Sequence, residues 1–205
     1  MTRLAITGHR GLTPDTLTAI DAAIRDIITA RLNPLPHKPR ADRLRRPDHP
    51  VDSREHRRRQ RAEGFTSEET PGHHSDPGAL DLHGVSCLAD GPDSLFAQAI
   101  LDHGGHLTAV VPARTYRESL PVTHHPTYDH LVAAAAEVVE LDRDKSDSDA
   151  HQAGSLRMLD SADELLAVWD GKPARGYGGT ADVVGAARAR GMRVTVIWPP
   201  GTQRP

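Results

Sequence analysis

Short aliphatic runs, each closed by glycine, proline or aspartate, recur along this chain at helix-length intervals. Arg3 to Thr7 is the first, stopped at Gly8. Leu80 to Leu88, Leu107 to Val111, Val138 to Leu141, Glu164 to Trp169 and Arg193 to Trp198 follow. Each reads as a buried strand. Between them lie helical patterns. Thr13-Pro14-Asp15 supplies an N-cap, a first-turn proline and an acidic residue, and Leu17, Ile20, Ile24, Ile27 and Ile28 then share one face. Asp93 to His103 turns Leu95, Ala99 and Ile100 inward and stops at Gly104-Gly105. Tyr128 to Ala136, about Asp149 to Ser161, and Thr180 to Arg190 complete the set. Strands separated by helices cannot pair through hairpins, so parallel pairing follows. The expected fold is a doubly wound α/β domain with a mainly parallel sheet and helices on both faces. Sheets of this kind bind ligands beyond the carboxyl ends of their strands.

One stretch breaks the pattern. Between about residues 33 and 79, seven prolines interrupt a run dense in arginine and histidine. From His37 to Glu63 ten Lys/Arg face five Asp/Glu, a net of +5 that leaves the rest of the chain at −8. So little apolar material does not offset the entropy of ordering. We therefore expect one domain spanning residues 1–205, interrupted by a basic, disordered insertion with at most a short exposed helix from Arg54 to Arg61. A solvated insertion is the expectation; a nucleic-acid contact through residues 37–63 is the alternative.

Composition excludes several classes. Aromatic residues make up 3% of the 205, too few for a base-stacking platform. The net charge of −3 gives no global attraction to polyanions. Cys87 is the single cysteine, so neither a disulfide framework nor a multi-cysteine zinc site is available. No apolar run approaches the roughly 18 residues of a membrane span. The amino terminus lacks the apolar core of a signal peptide, so a cytoplasmic protein without membrane contact is expected. Thirteen histidines include the adjacent pairs His73-His74 and His124-His125, but no metal-binding spacing accompanies them, and neither metal nor cofactor is expected. Cys87, Trp169 and Trp198 read as packing residues. Tyr177 and Tyr116 divide evenly between ligand cover and surface. Ser161 lacks a nucleophile-elbow pattern.

The strand exits carry the chemistry. Gly8-His9-Arg10 closes the first, Ser86 with Asp90, Gly91 and Asp93 the second, and Arg114 and Tyr116 follow the third. Asp170-Gly171 closes a fourth, and Gly178-Gly179-Thr180 opens the next helix. Glycine turns feeding helix starts offer unpaired amides and a favourable dipole to anions. On this reading Gly178, Gly179 and Thr180 hold a phosphate, while Gly8, His9 and Arg10 close the opposite side. Asp90 and Asp93 contact sugar hydroxyls, and Asp170-Gly171 forms the floor. Neither a P-loop nor a strict G-x-G-x-x-G is present, which removes the common nucleoside triphosphatases and dehydrogenases.

Val85 to Asp93, continuing through Gly104-Gly105 to Val110-Val111-Pro112, resembles the core of bacterial DNA-processing (Smf, or DprA) proteins. Met158 to Asp163 and Gly178-Gly179-Thr180 resemble the Lonely Guy phosphoribohydrolases. Both belong to the Rossmann-like SLOG superfamily, and Ile6-Thr7-Gly8-His9-Arg10 is similar to its stand-alone bacterial branch. The resemblance spans the chain outside residues 33–79. It implies a Rossmann-like fold, a pocket for a nucleotide or nucleotide-derived ligand with Gly-Gly-Thr near its phosphate, and a homodimer. Lonely Guy enzymes carry P-G-G-x-G-T-x-x-E and an arginine four residues before the matched methionine. Here those positions are Val183 and Gly154. The candidate catalytic substitutes are Asp182, about 100° around the helix from position 183, and Arg157, with Asp170, Asp90 or Asp93 as further carboxylates. The expected function is binding or sensing of a nucleotide. The alternatives are a nucleoside-monophosphate phosphoribohydrolase and a DNA-processing adaptor.

Overall fold

The computed structural model describes residues 2–33 and 82–205. The insertion expected at about 33–79, with its short helix, its basic run and His73-His74, lies beyond Asn33 outside the described residues. Among the described residues, strands and helices alternate: β1 (Thr2–Gly8), α1 (Pro14–Leu32), β2 (Leu82–Ser86), α2 (Pro92–Asp102), β3 (His106–Val111), α3 (Tyr116–Ser119), α4 (His125–Ala134), β4 (Glu137–Glu140), α5 (Ser148–Asp160), β5 (Glu164–Val168), α6 (Thr180–Ala189) and β6 (Arg193–Ile197). The strands form one parallel sheet in the order β4-β3-β2-β1-β5-β6. This is a Rossmann-like, doubly wound α/β fold.

Alternation along β1 sets the two layers. Leu4 and Ile6 face Ile20, Ile24 and Ile28 of α1 and Phe96 and Ile100 of α2. Ala5, pointing the other way, packs with Met158 and Leu159 of α5 and Val183, Val184 and Ala187 of α6. Leu107, Ala109 and Val111 of β3 extend the first layer toward Tyr128 and Leu131 of α4. Gly84 lets α2 lie close on β2: a Cβ there would stand 2.5 Å from Ile100 Cγ1.

Local chemistry explains the boundaries. Thr13 Oγ1 accepts the Thr16 amide at 3.4 Å and starts α1, with Pro14 in the first turn. Asp147 caps α5 through the Ala150 amide at 2.8 Å. The sequence pattern missed α3 and the 3₁₀ turn Val122–His124, because both are too short to show a period. It also started α4 three residues late: Pro126 sits within the first turn, where its missing N–H costs nothing.

Strands β1 to β4 step outward in one direction, then α5 carries the chain back past β1 to β5 and β6. After β1 the chain turns to one face, and after β5 to the other. The sheet edge between them is where the connections diverge and leave a crevice. Among the described residues, no helix is long and apolar enough to cross a membrane.

Candidate functional site

Close backbone approach builds the crevice. A Cβ at Gly8 would stand 2.8 Å from Cβ and Cγ of Pro92, so this glycine lets the start of α2 rest on the end of β1. The His9 amide donates to the Val168 carbonyl at 3.1 Å and ties that exit to β5. After β2, Ser86 Oγ donates to the Asp93 carbonyl at 3.2 Å and accepts the Leu88 amide at 3.1 Å, folding the chain back on itself. Leu88 is held at φ +59°, a region that non-glycine residues seldom occupy. Gly178, at φ +79°, brings the loop before α6 against the start of α5, where a Cβ would meet the Ser148 carbonyl oxygen at 2.9 Å.

These exits enclose a cleft of about 150 Å³ at the carboxyl edge of the sheet. Thr7 and Arg10 come from the end of β1 and the turn after it, Cys87 and Ala89 from the turn after β2, Asp93 from the first turn of α2, Pro112 from just past β3 and Tyr116 from the start of α3. Gly178, Gly179 and Thr180 line it from the start of α6, and His151 and Ser155 from α5. Of the residues singled out from sequence, Arg10, Asp93, Tyr116, Gly178, Gly179 and Thr180 thus meet around one space. His151 and Ser155 were missed. Their signal is an i,i+4 polar pair near the start of α5, meaningful only once the crossover brings that helix over the crevice.

The remaining candidates lie beside the cleft rather than on its wall. Asp90 pairs with Arg10. Gly91, at φ +95°, forms the N-cap of α2. Gly171, at φ +78°, continues the turn after Asp170. His9 is buried beneath Thr180, its ring edge-on to Trp198 with centroids 5.5 Å apart. Asp170 borders a separate cavity of about 370 Å³ with Lys172, Arg175, Trp198 and Arg204. Arg157 hydrogen-bonds Ser161, the C-cap of its own helix. Asp182 turns back to accept the amides of Gly178 at 3.0 Å and Gly179 at 3.3 Å. Among the described residues, the amides left without a partner at this helix start are therefore those of Thr180 and Ala181, while the Gly178 and Gly179 amides that the sequence reading gave to a phosphate are engaged.

Electrostatics single out one group. Burial pushes the Asp93 carboxyl up to about 7, against the smaller opposing pull of the Ala89 amide and Arg10. Burial likewise drives the Cys87 thiol far upward, so this cysteine is inert at neutral pH. Burial, reinforced by Arg10, lowers the His151 imidazole. The cleft at neutral pH thus combines one guanidinium, free helix-start amides and a carboxyl near its midpoint. Among the described residues no group of histidines, cysteines or carboxylates could hold a metal ion.

The two positions where a phosphoribohydrolase of the Lonely Guy type carries its arginine and glutamate are filled by packing. A Cβ at Gly154 would lie 2.8 Å from the Pro112 ring, and Val183 is buried in the core beneath α6.

No protein-family model matches the chain, and no curated protein matches it. Among solved structures it is similar to the X-ray structure of TM1055, a structural genomics target, with a TM-score of 0.47 and 14% identity over 95% of this chain and 72% of that one. It is also similar to DNA processing protein A (DprA) from Streptococcus pneumoniae, with a TM-score of 0.33 and 13% identity. That match covers 95% of this chain but 58% of DprA, so the chain spans little more than half of that protein's length.

Proposed function

We propose that the cleft binds a nucleotide or nucleotide-derived small molecule with its phosphate against the start of α6. The observation that carries this reading is the meeting of Arg10, Asp93 and Thr180, from three distant chain segments, around one cavity. The unpaired amides of Thr180 and Ala181 and the helix dipole favour an anion there. Arg10 adds a charge that can turn from Asp90 to a phosphate. Asp93, close to half-protonated at neutral pH, can both donate to and accept from a sugar hydroxyl. At about 150 Å³ the cleft falls below the roughly 300–1,000 Å³ that encloses a whole drug-sized ligand. The phosphate and sugar would sit inside and the base at the mouth, near the exposed Tyr177. The resemblance to SLOG proteins points the same way. Binding is favoured over glycosidic cleavage because Gly154 and Val183 leave no room for the arginine and glutamate of the hydrolases.

Thermal-shift measurements against nucleosides and their 5′-monophosphates test the proposal. A monophosphate at a hundredfold excess over its Kd should add about 2.7 kcal/mol to stability, with a matching rise in Tm. The parent nucleoside should give much less, and Arg10→Ala should shrink the monophosphate shift selectively. Equal shifts from nucleoside and monophosphate, or none from any nucleotide at millimolar concentration, would refute it.

A further inference from the structure

Thr180, His9 and Asp170 form a hydrogen-bonded chain that nucleotide binding does not call for. Thr180 Oγ1 lies 3.4 Å from His9 Nδ1, and His9 Nε2 lies 3.1 Å from Asp170 Oδ1. Asp170 also accepts the Lys172 amide at 3.0 Å and has Arg204 3.8 Å from its other oxygen. Burial pulls the Asp170 carboxyl upward, but the Lys172 amide, His9 and Arg204 outweigh it and keep it ionised. The Asp170 amide also approaches Nε2, at 3.5 Å, but the carboxylate oxygen is nearer and only accepts, so His9 carries its proton on Nε2 and turns the Nδ1 lone pair to the threonine hydroxyl. Burial, more than the nearby Arg204 and Arg175, keeps that imidazole neutral against the upward pull of Asp170. Trp198 fixes the ring plane from the side. Thr180 lines the cleft, and beside its hydroxyl stand its own amide and that of Ala181, the two at this helix start that have no partner among the described residues.

We propose that these residues give the cleft a hydrolase activity toward short carboxylic esters, with Thr180 as nucleophile, His9 as general base and Asp170 as the positioning carboxylate. Thr180 Oγ1 bonds to the ester carbonyl carbon while its proton passes to His9 Nδ1. The carbonyl electrons move onto oxygen, where the Thr180 and Ala181 amides receive them. Collapse breaks the bond to the alcohol, which leaves with the proton from Nδ1. Water then gives a proton to Nδ1 and adds to the acyl-threonine. Oγ1 departs, recovers that proton, and the acid is released. The 3.4 Å separation is looser than the roughly 2.6–3.2 Å of an engaged pair, as in many sites without substrate. The small cleft restricts the acyl group to a few carbons. A network that merely tied three loops together would leave the Thr180 hydroxyl no more reactive than any other.

The full chain treated with a fluorophosphonate should gain one adduct, on Thr180 by peptide mapping. Hydrolysis of p-nitrophenyl acetate should fall at least ~100-fold in His9→Gln and in the near-isosteric Thr180→Val, and survive largely in Thr180→Ser. The rate should drop on the acid side as His9 is protonated, and His9→Gln should remove that limb. If His9→Gln does not fold, Asp170→Asn carries the same test, with kcat falling and KM held. An adduct elsewhere, an adduct undiminished in His9→Gln, or no adduct overturns the proposal. The nucleotide-dependent rise in Tm is independent of this outcome, so either reading can fail alone.

Discussion

Asp93 holds a carboxyl where burial makes ionisation expensive, and removing that charge should stabilise the protein in one pH range only. Its pKa rises from 3.8 to about 7 on folding. Below pH 3.8 the group is protonated in both the folded and unfolded chain and contributes no pH dependence. Between 3.8 and 7 the unfolded chain loses its proton first, so stability falls steadily with rising pH; above 7 the loss is complete. At 1.36 kcal/mol per pKa unit, the full penalty is about 4 kcal/mol. Asp93→Asn keeps the shape and an acceptor for the Ala89 amide without the charge. The advantage of the variant over the wild type should therefore grow by about 3 kcal/mol from pH 5 to pH 8. For a chain of this size that is a relative Tm gain of roughly 6–12 °C.

Thermal unfolding of both proteins at pH 5, 6, 7 and 8, without ligand, checks this. Every other titrating group is common to both chains, so the difference between them isolates Asp93. A Tm gap that stays constant within about 1 °C across the range would refute the reasoning, because it would mean that Asp93 ionises as an ordinary surface carboxyl. A gap that widens toward low pH would reverse its sign.

The core offers two further tests. Gly84→Ala forces a methyl against Ile100 Cγ1, 2.5 Å away, and should cost about 1–3 kcal/mol in urea unfolding; an unchanged midpoint would show that α2 can slide off β2. Val183→Glu, which restores the hydrolase glutamate, buries a carboxylate among Met158, Leu159 and Val184 and should lower Tm steeply without creating base-releasing activity. Release of free base from a nucleoside monophosphate by that variant would contradict the placement of position 183 in the core.

Strand and helix existence was legible because buried strands and amphipathic helices announce themselves locally. Ile20, Ile24 and Ile28 lie on one face of α1, and Gly104 and Pro112 mark real ends. Sheet order was not local, and with it went every contribution of α5. Nothing in the run from Ser148 to Asp160 reveals that His151 overlooks the ends of β1 and β3; that depends on the chain crossing back over β1. The glycine-rich turn before α6 was legible as a helix start at the carboxyl edge of the sheet, but its wiring was not. Asp182 is one turn from the glycines it serves, and its carboxylate takes their amides before a ligand can. His9 was read as part of the ligand wall. Its imidazole instead turns inward, because Asp170, Trp198 and Thr180 together offer it more than solvent does.

The four carboxylates considered from sequence now separate by their partners. Asp182 is spent on two backbone amides, Asp170 on His9 and the Lys172 amide, and Asp90 on Arg10. Asp93 alone among them lines the cleft, and it alone is held near neutrality by burial. The division follows from where each sits. Asp90 and Asp170 lie at turns, where a guanidinium and an amide meet them, and Asp182 folds back from the first turn of α6 onto the glycine amides before it. Asp93 instead lies in the first turn of α2 against Cys87 and Tyr116. A bound anion beside Asp93 would favour its protonated form, since two negative charges in a cleft of this size repel strongly. Ligand affinity should therefore fall as pH rises through about 7 in the wild type and not in Asp93→Asn, linking the stability of the free protein and its binding to a single buried proton.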